Sequence, residues 1–161
     1  MLLKIILLRN KKKEVVSLAY VDDDDFDYLS QWSWCLTTTG YARRNKDGKI
    51  SKMHREILGI TDKNIKIDHK NKDKLDNRKC NLRLVTTLQN GWNSSCHKNG
   101  TTSKYKGVHW SKDRNKWVAS IGYKSSVIPL GRFLVEKDAA LAYNNAATKY
   151  YGEYASLNEV I

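Results

Sequence analysis

The order of apolar and polar positions predicts short strands and one helix in the first sixty residues. Residues 15–21 are apolar and β-branched, as expected of a strand. The four aspartates of residues 22–25 favour a helix start over a metal site, because acidic groups there meet the positive end of the helix dipole. Apolar residues alternate over residues 32–36, and the Asp-Gly pair at 47–48 predicts a turn before residues 50–57. Together these signals predict a small antiparallel sheet with one helix.

The next segment predicts a strand, a loop, a second strand and a helix. Residues 65–68 form a short apolar run, and residues 69–80 are polar and basic. Residues 82–85 predict the returning strand, and either Thr86 or Thr87 is placed to cap the helix that follows. We therefore expect polar side chains to gather on one side of a hairpin.

The remainder of the chain predicts a second module after a linker. Residues 94–103 are small and polar without periodicity, which is typical of a linker. Three strand-like runs follow, and alanines spaced along one helical face predict a helix that ends at Gly152 and packs closely on a sheet. The runs are residues 105–110, 116–123 and 126–131, and the helix spans residues 136–151. We therefore predict an α+β chain divided into residues 1–93, a linker and residues 104–161.

The net charge of the chain indicates the class of its binding partner. The chain has 161 residues, with 29 Lys and Arg against 17 Asp and Glu, for a net charge of +12. Such a balance favours a polyanionic partner, most often nucleic acid. Residues 104–132 carry a net charge of +6 and residues 133–161 carry −2. We therefore expect the sheet of the second module, and not its helix, to face DNA.

Cysteine usage and the first residues favour a reducing, cytoplasmic location. Three cysteines form an odd set without a C-x-x-C pair, which suits neither a disulfide framework nor a thiolate zinc site. Cys80, Cys96 and His97 could form only a partial zinc set. Residues 1–8 are apolar but too short for a signal peptide or a membrane span. We expect a cytoplasmic protein without a membrane partner or a small-molecule cofactor.

The candidate chemistry lies in the pattern D-H-x11-N-x8-N, formed by Asp68, His69, Asn81 and Asn90. A carboxylate, a neutral base and two amides are what a one-metal phosphodiesterase needs, and here they lie in a segment rich in Lys and Arg. The alternative is that His69 is an exposed loop histidine, Asn81 a turn residue and Asn90 a helix-surface residue. A calcium loop is excluded, because the central Gly and terminal Glu are missing.

Residues 54–93 resemble an HNH endonuclease of the phage and intron homing type. The resemblance is carried by residues 53–58 (MHREIL), 67–71 (IDHKN), 76–78 (DNR), 81–83 (NLR) and 86–90 (TTLQN). Residues 103–158 resemble the DNA-binding domain of plant ethylene-response factors, which is also found fused to phage HNH nucleases. That resemblance is carried by residues 105–108 (YKGV), 116–119 (KWVA), 130–133 (LGRF), 139–144 (AALAYN) and 152–158 (GEYASLN).

The resemblance implies a fold, an activity and a role for each residue of the pattern. The nuclease module would have a ββα-metal core at about residues 63–93, and the enzyme would hydrolyse phosphodiester bonds of double-stranded DNA. His69 would be the general base, Asp68 and Asn90 would hold one divalent cation, and Asn81 would orient His69. Hard oxygen ligands favour Mg²⁺ or Mn²⁺ over zinc. A phage- or intron-encoded enzyme acting in the host cell, as a monomer or weak dimer, is expected.

The resemblance also indicates where DNA would bind. The positions at which the plant domains have several Arg and Trp here hold His109 and small or apolar residues, so relaxed sequence specificity is expected. The candidate DNA contacts are Arg55, Arg83, Lys106, His109, Trp110, Lys112, Arg114, Lys116, Tyr123 and Lys124. The rival interpretation is a DNA-binding transcriptional regulator with an inactive nuclease module. RNA binding gains no support, because no RNA-type aromatic signature is present.

Overall fold

The computed structural model of the chain describes residues 2–46, 48–94 and 102–161, and it divides into the units Met1–Asn90 and Gly91–Ile161. Most of the predicted linker, together with Cys96 and His97, lies outside the described residues. Within the described part of the chain, no helix is long and apolar enough to cross a membrane. The architecture is α+β, as predicted, with small antiparallel sheets in both units.

The first unit contains three small sheets and three short helices. Its strands are β1 (Leu3–Arg9), β2 (Val15–Asp22), β3 (Cys35–Leu36), β4 (Ala42–Lys46), β5 (Lys49–Lys52), β6 (Lys66–His69) and β7 (Leu82–Val85). Its helices are α1 (Asp23–Ser30), α2 (Met53–Ile57) and α3 (Thr87–Trp92), the last of which extends to the boundary with the second unit. The pairs β1–β2 and β6–β7 form antiparallel hairpins, and β3, β4 and β5 form a third sheet.

Alternation along the first hairpin builds the core of this unit. Ile6 and Leu8 point inward from β1, whereas Ile5 and Leu7, which alternate with them, are exposed. The inward residues pack with α1 and the third sheet in a cluster of Ile6, Leu8, Ala19, Val21, Leu29, Trp34, Ala42 and Met53. The aspartates in the first turn of α1 confirm the predicted helix start.

The second unit is a three-stranded sheet packed on one long helix. The strands β8 (Val108–Ser111), β9 (Lys116–Tyr123) and β10 (Ser126–Phe133) are antiparallel, with β9 in the centre. The helix α4 (Glu136–Tyr151) has the predicted bounds and is followed by Gly152. Its buried face carries Ala139, Ala140, Tyr143, Ala146, Ala147 and Tyr151. The four alanines of this face let the helix lie close to the sheet.

At Gly107, immediately before β8, the backbone lies close to the side chain of Tyr143 and to the backbone of Ser120. Its φ is +75°, and a Cβ there would lie 2.1 Å from Cδ2 of Tyr143 and 2.7 Å from the carbonyl oxygen of Ser120. Gly122 in β9 is a matched control, because a Cβ there would have no neighbour within 4 Å.

Gly107→Ala is expected to destabilise the second unit by roughly 2–5 kcal/mol, because overpacking adds to the cost of a left-handed residue with a Cβ. Gly122→Ala should change the free energy of unfolding by less than about 1 kcal/mol. Urea unfolding followed by tryptophan fluorescence measures both. Equal effects of the two substitutions would contradict the close approach.

Candidate active site

The predicted site residues Asp68 and His69 lie side by side at the end of β6. In the β6–β7 hairpin, Asp68 is opposite Arg83 and His69 is opposite Leu82. Both side chains are buried, with Asp68 8% exposed and His69 4% exposed. His69 is therefore not the exposed loop histidine of the alternative interpretation.

The loop between β6 and β7 is shaped by Asn81. Its Oδ1 accepts a hydrogen bond from the backbone N–H of Asn71 at 3.0 Å, and its Nδ2 donates to the carbonyl oxygen of Asp76 at 2.7 Å. The backbone carbonyl of Asn81 also accepts from the N–H of Lys70 at 2.9 Å. Asn81 thus acts on His69 through the backbone that follows it and not by a direct hydrogen bond.

Asp76 provides the second restraint on this loop. Its carboxylate accepts hydrogen bonds from the Arg78 guanidinium at 2.6 and 2.7 Å and from Nδ2 of Asn71 at 2.8 Å. The hydrogen bonds from Arg78 hold the pKa of Asp76 below its usual value. The carboxylate therefore stays ionised at neutral pH and keeps these partners together.

The same loop is fastened to β2 of the first hairpin. The N–H of Tyr20 donates to the carbonyl of Leu75, and the N–H of Asn77 donates to the carbonyl of Tyr20, both at 2.8 Å. The buried carboxylate of Asp22 accepts from the N–H of Lys79 at 2.7 Å. The N-terminal hairpin therefore holds the loop between β6 and β7 by hydrogen bonds, although it supplies none of the predicted site residues.

The structure places Asn77 directly beside His69. Oδ1 of Asn77 lies 3.4 Å from Nε2 of the imidazole, and Asn77 is almost fully buried. Burial lowers the pKa of His69, which the contact with Asn77 and nearby carboxylates offset only in part. The imidazole is therefore neutral at pH 7, the form that can accept a proton. In the sequence, Asn77 stands in the DNR motif, and no role was predicted for it.

Two further rings lie next to His69. The ring centroid of His54, in α2, lies 5.2 Å from that of His69, and that of Tyr41 lies 5.9 Å away. Burial lowers the pKa of His54 to about 3, whereas burial and Asp68 raise the pKa of Tyr41. Ammonium groups of Lys52 and Lys74 lie 4.5 and 4.9 Å from the Tyr41 ring centroid. A positively charged patch therefore borders the ring cluster.

Asp68 is paired with Arg83. Nη2 and Nε of the guanidinium lie 2.8 and 2.9 Å from Oδ2 of the carboxylate, and both side chains are 9% exposed. Arg83 was predicted to contact a phosphate, and here it neutralises the carboxylate predicted to hold a cation. Arg55, the other predicted phosphate contact, donates to the backbone carbonyls of Asp62 and Ile65.

Asn90 lies on α3, whose start is stabilised by a reciprocal pair of hydrogen bonds. The hydroxyl of Thr86 accepts from the N–H of Gln89 at 3.1 Å, and Oε1 of Gln89 accepts from the N–H of Thr86 at 2.9 Å. This confirms Thr86 as the cap. The side chain of Asn90 is exposed one turn later, where a ligand could reach it.

The donor chemistry fits a hard divalent cation. Asp68 and Asn90 offer carboxylate and amide oxygens, which Mg²⁺ and Mn²⁺ accept. No cluster of three or more His, Cys, Asp or Glu that could hold a metal occurs among residues 2–46, 48–94 and 102–161. A cation here would therefore depend on one carboxylate, one amide and oxygens from water or phosphate, which is the usual way in which Mg²⁺ is bound near phosphates.

The candidate DNA contacts of the second unit fall into two groups. Five of them are exposed, and these are His109, Lys112, Arg114, Lys116 and Lys124. Strand alternation places the other aromatic candidates on the helix-facing side of the sheet. The ring centroids of Trp110 and Trp117 are 5.0 Å apart, and those of Tyr123 and Tyr150 of α4 are also 5.0 Å apart. Lys106 donates to the carbonyls of Trp92 and Ser94, both at 2.7 Å.

Comparison with known proteins assigns the family. Residues 55–92 match the HNH endonuclease family, a range that includes Asp68, His69, Asn81 and Asn90. An uncharacterized HNH endonuclease of Acanthamoeba polyphaga mimivirus is 32% identical over 155 residues, covering 89% of this chain and 76% of the relative. No solved structure matches. The chain belongs to the HNH endonuclease family, and its class is that of a nuclease, a hydrolase that acts on DNA.

Arg83→Gln is expected to lower the free energy of unfolding by about 3–5 kcal/mol in the absence of metal, because it leaves the buried Asp68 carboxylate without its cationic partner. Asp68→Asn combined with Arg83→Gln should recover most of this loss, since no buried charge remains. Urea unfolding of the two single variants and the double variant at pH 7 provides the cycle. Additive losses in the double variant would show that the pair is not coupled.

Proposed function

We propose that the chain is a metal-dependent endonuclease of the homing type that nicks or cleaves double-stranded DNA. The observation that carries the proposal is that Asp68 and His69 are consecutive buried residues at the end of β6 and that the imidazole is neutral. A single site of this kind cuts one strand in each engagement. A double-strand break would need two sites or two events.

His69 is assigned as the general base. Its neutral ring takes a proton from the attacking water, the water oxygen forms a bond to phosphorus, and the bond to the 3′-oxygen breaks. Asn81 fixes the loop after His69, and Asn77 fixes the ring at its Nε2 side. The roles of these two amides are to hold the base and not to exchange protons.

Asp68 and Asn90 are assigned as the residues that would hold one Mg²⁺ or Mn²⁺. When bound, the cation supplies positive charge to the scissile phosphate and to the leaving oxygen. Arg83 already occupies Oδ2 of Asp68, so cation and guanidinium would have to share the carboxylate. The same observation favours the second candidate function, a DNA-binding regulator whose nuclease module is inactive.

The second unit is assigned as an ethylene-response-factor-type DNA-binding module. Its three-stranded sheet and single helix agree with the resemblance of residues 103–158. Four of its positive side chains are exposed on the turn Lys112–Arg114 and at or next to the ends of β9, and these are Lys112, Arg114, Lys116 and Lys124. Lysine and arginine contacts to phosphate give affinity with little sequence information, which supports relaxed specificity.

His69→Ala is expected to reduce nicking of supercoiled plasmid in Mg²⁺ or Mn²⁺ by about 10²–10⁴-fold, because the general base is removed. Lys137→Gln is the control, since it removes an exposed side chain of α4 that is not a candidate DNA contact. Chelation of the metal should abolish nicking by the unaltered chain. Full activity of His69→Ala would remove the assigned base, and tight duplex binding without cleavage in any metal would favour the regulator.

Arg114→Gln and Lys116→Gln are each expected to weaken duplex binding and to reduce the slope of log K against log salt by about 0.9, the value for one lost phosphate contact. Lys137→Gln, an exposed change on α4, should leave the slope unaltered. Fluorescence anisotropy with a short duplex in chelator measures binding without cleavage. An unchanged slope in Arg114→Gln and Lys116→Gln would place the DNA surface elsewhere.

A further inference from the structure

The candidate mechanism gives no role to a buried titratable group that packs against the candidate base. His54 is the second residue of α2, its side chain is 5% exposed, and it lies against His69. Among the described residues, its Nδ1 has no hydrogen-bond partner. The His54 ring therefore interacts with its neighbours by packing and not by a hydrogen bond from Nδ1.

The geometry of the three rings shows what this packing restrains. The planes of His54 and His69 are 89° apart at a centroid distance of 5.2 Å, an edge-to-face contact. Tyr41 makes a second edge contact with His54 at 5.2 Å and 61°. Because Asn77 contacts His69 at Nε2, the His54 ring supplies a second, independent contact that limits rotation of the imidazole.

The charges around His54 favour the neutral form of its imidazole. The charges facing it come from His69, Lys52 and Arg55, and each acts in the same direction as burial to keep the imidazole uncharged. A second positive ring would oppose a proton on His69. A neutral aromatic ring at this position restrains the base without competing with it for the proton.

We propose that His54 is a positioning residue that holds the ring of His69 in its working orientation by edge-to-face packing. The proposal rests on the assignment of His69 as the base. It assigns His54 no contact with substrate and no proton transfer. An aromatic ring of similar width without nitrogens should therefore replace it.

The test compares His54→Ala, His54→Phe and Met53→Ala in the full chain. Met53 is the matched control, because it is the adjacent residue of α2 and is fully buried in the hydrophobic core of the first unit. We expect His54→Ala to lower the single-turnover nicking rate at saturating enzyme by roughly 10–100-fold with duplex affinity unchanged, since a small misplacement of a catalytic group has effects of that size. His54→Phe should remain within about threefold of the unaltered chain, as expected of a ring that only packs.

Met53→Ala should lower the melting temperature at least as much as His54→Ala and leave the rate of the folded enzyme unchanged. An unimpaired His54→Ala would overturn the proposal. So would a His54→Phe variant as slow as His54→Ala, because the nitrogens would then be required. Failure of the base assignment is distinguishable, since it appears as nicking that survives in His69→Ala.

A second measurement does not depend on cleavage. Long-range proton–nitrogen spectra report the His69 imidazole directly, with His69→Ala identifying its signals. The unaltered chain and His54→Phe should show one sharp set of ring signals, and His54→Ala should show broadened or doubled ones. A single sharp set in His54→Ala would also overturn the proposal.

Discussion

The position of the candidate base depends on hydrogen bonds made by side-chain amides in a segment without regular secondary structure. Residues 70–81 connect β6 to β7, and a loop of this length has many conformations to lose. Asn81, at its end, bonds the N–H of Asn71 near its start and the carbonyl of Asp76 in its middle. Because Asn81 is buried, removing its amide would leave unpaired backbone groups as well as a free loop.

The buried charge of Asp68 imposes the second constraint. A carboxylate at this depth requires a positive partner, and Arg83 opposite it on β7 provides one. A partner of this kind compensates the buried charge when no metal is bound. It also means that a cation gains less from Asp68 than it would from an unpaired carboxylate. The proposed metal dependence must therefore draw on phosphate and water oxygens.

Local patterns predicted most of the elements, although residues 53–57, expected in the antiparallel sheet, form the helix α2. Long-range contacts decided most of what was missed. The helix α4 and the β6–β7 hairpin followed from periodicity and turn residues, which act over a few positions. The strand β1 was not predicted, because its apolar run was considered only as a leader. Tyr41 was given no place at the site, since it is brought to His69 from a distant part of the chain. Contacts between residues far apart in the sequence leave no pattern in the residues next to either of them.

In the second unit, the alternation of side chains along a strand decides which aromatic residues face the helix. Val108 is buried, so alternation alone places Trp110 on the same face, towards the helix. The face turned away from α4 then carries His109, Lys116 and Ser120. Few of its side chains can donate two hydrogen bonds to a base edge, whereas its basic groups suit phosphates. If this face meets DNA, as proposed, most of the affinity would come from the backbone, and the position of a cut would depend mainly on the nuclease module.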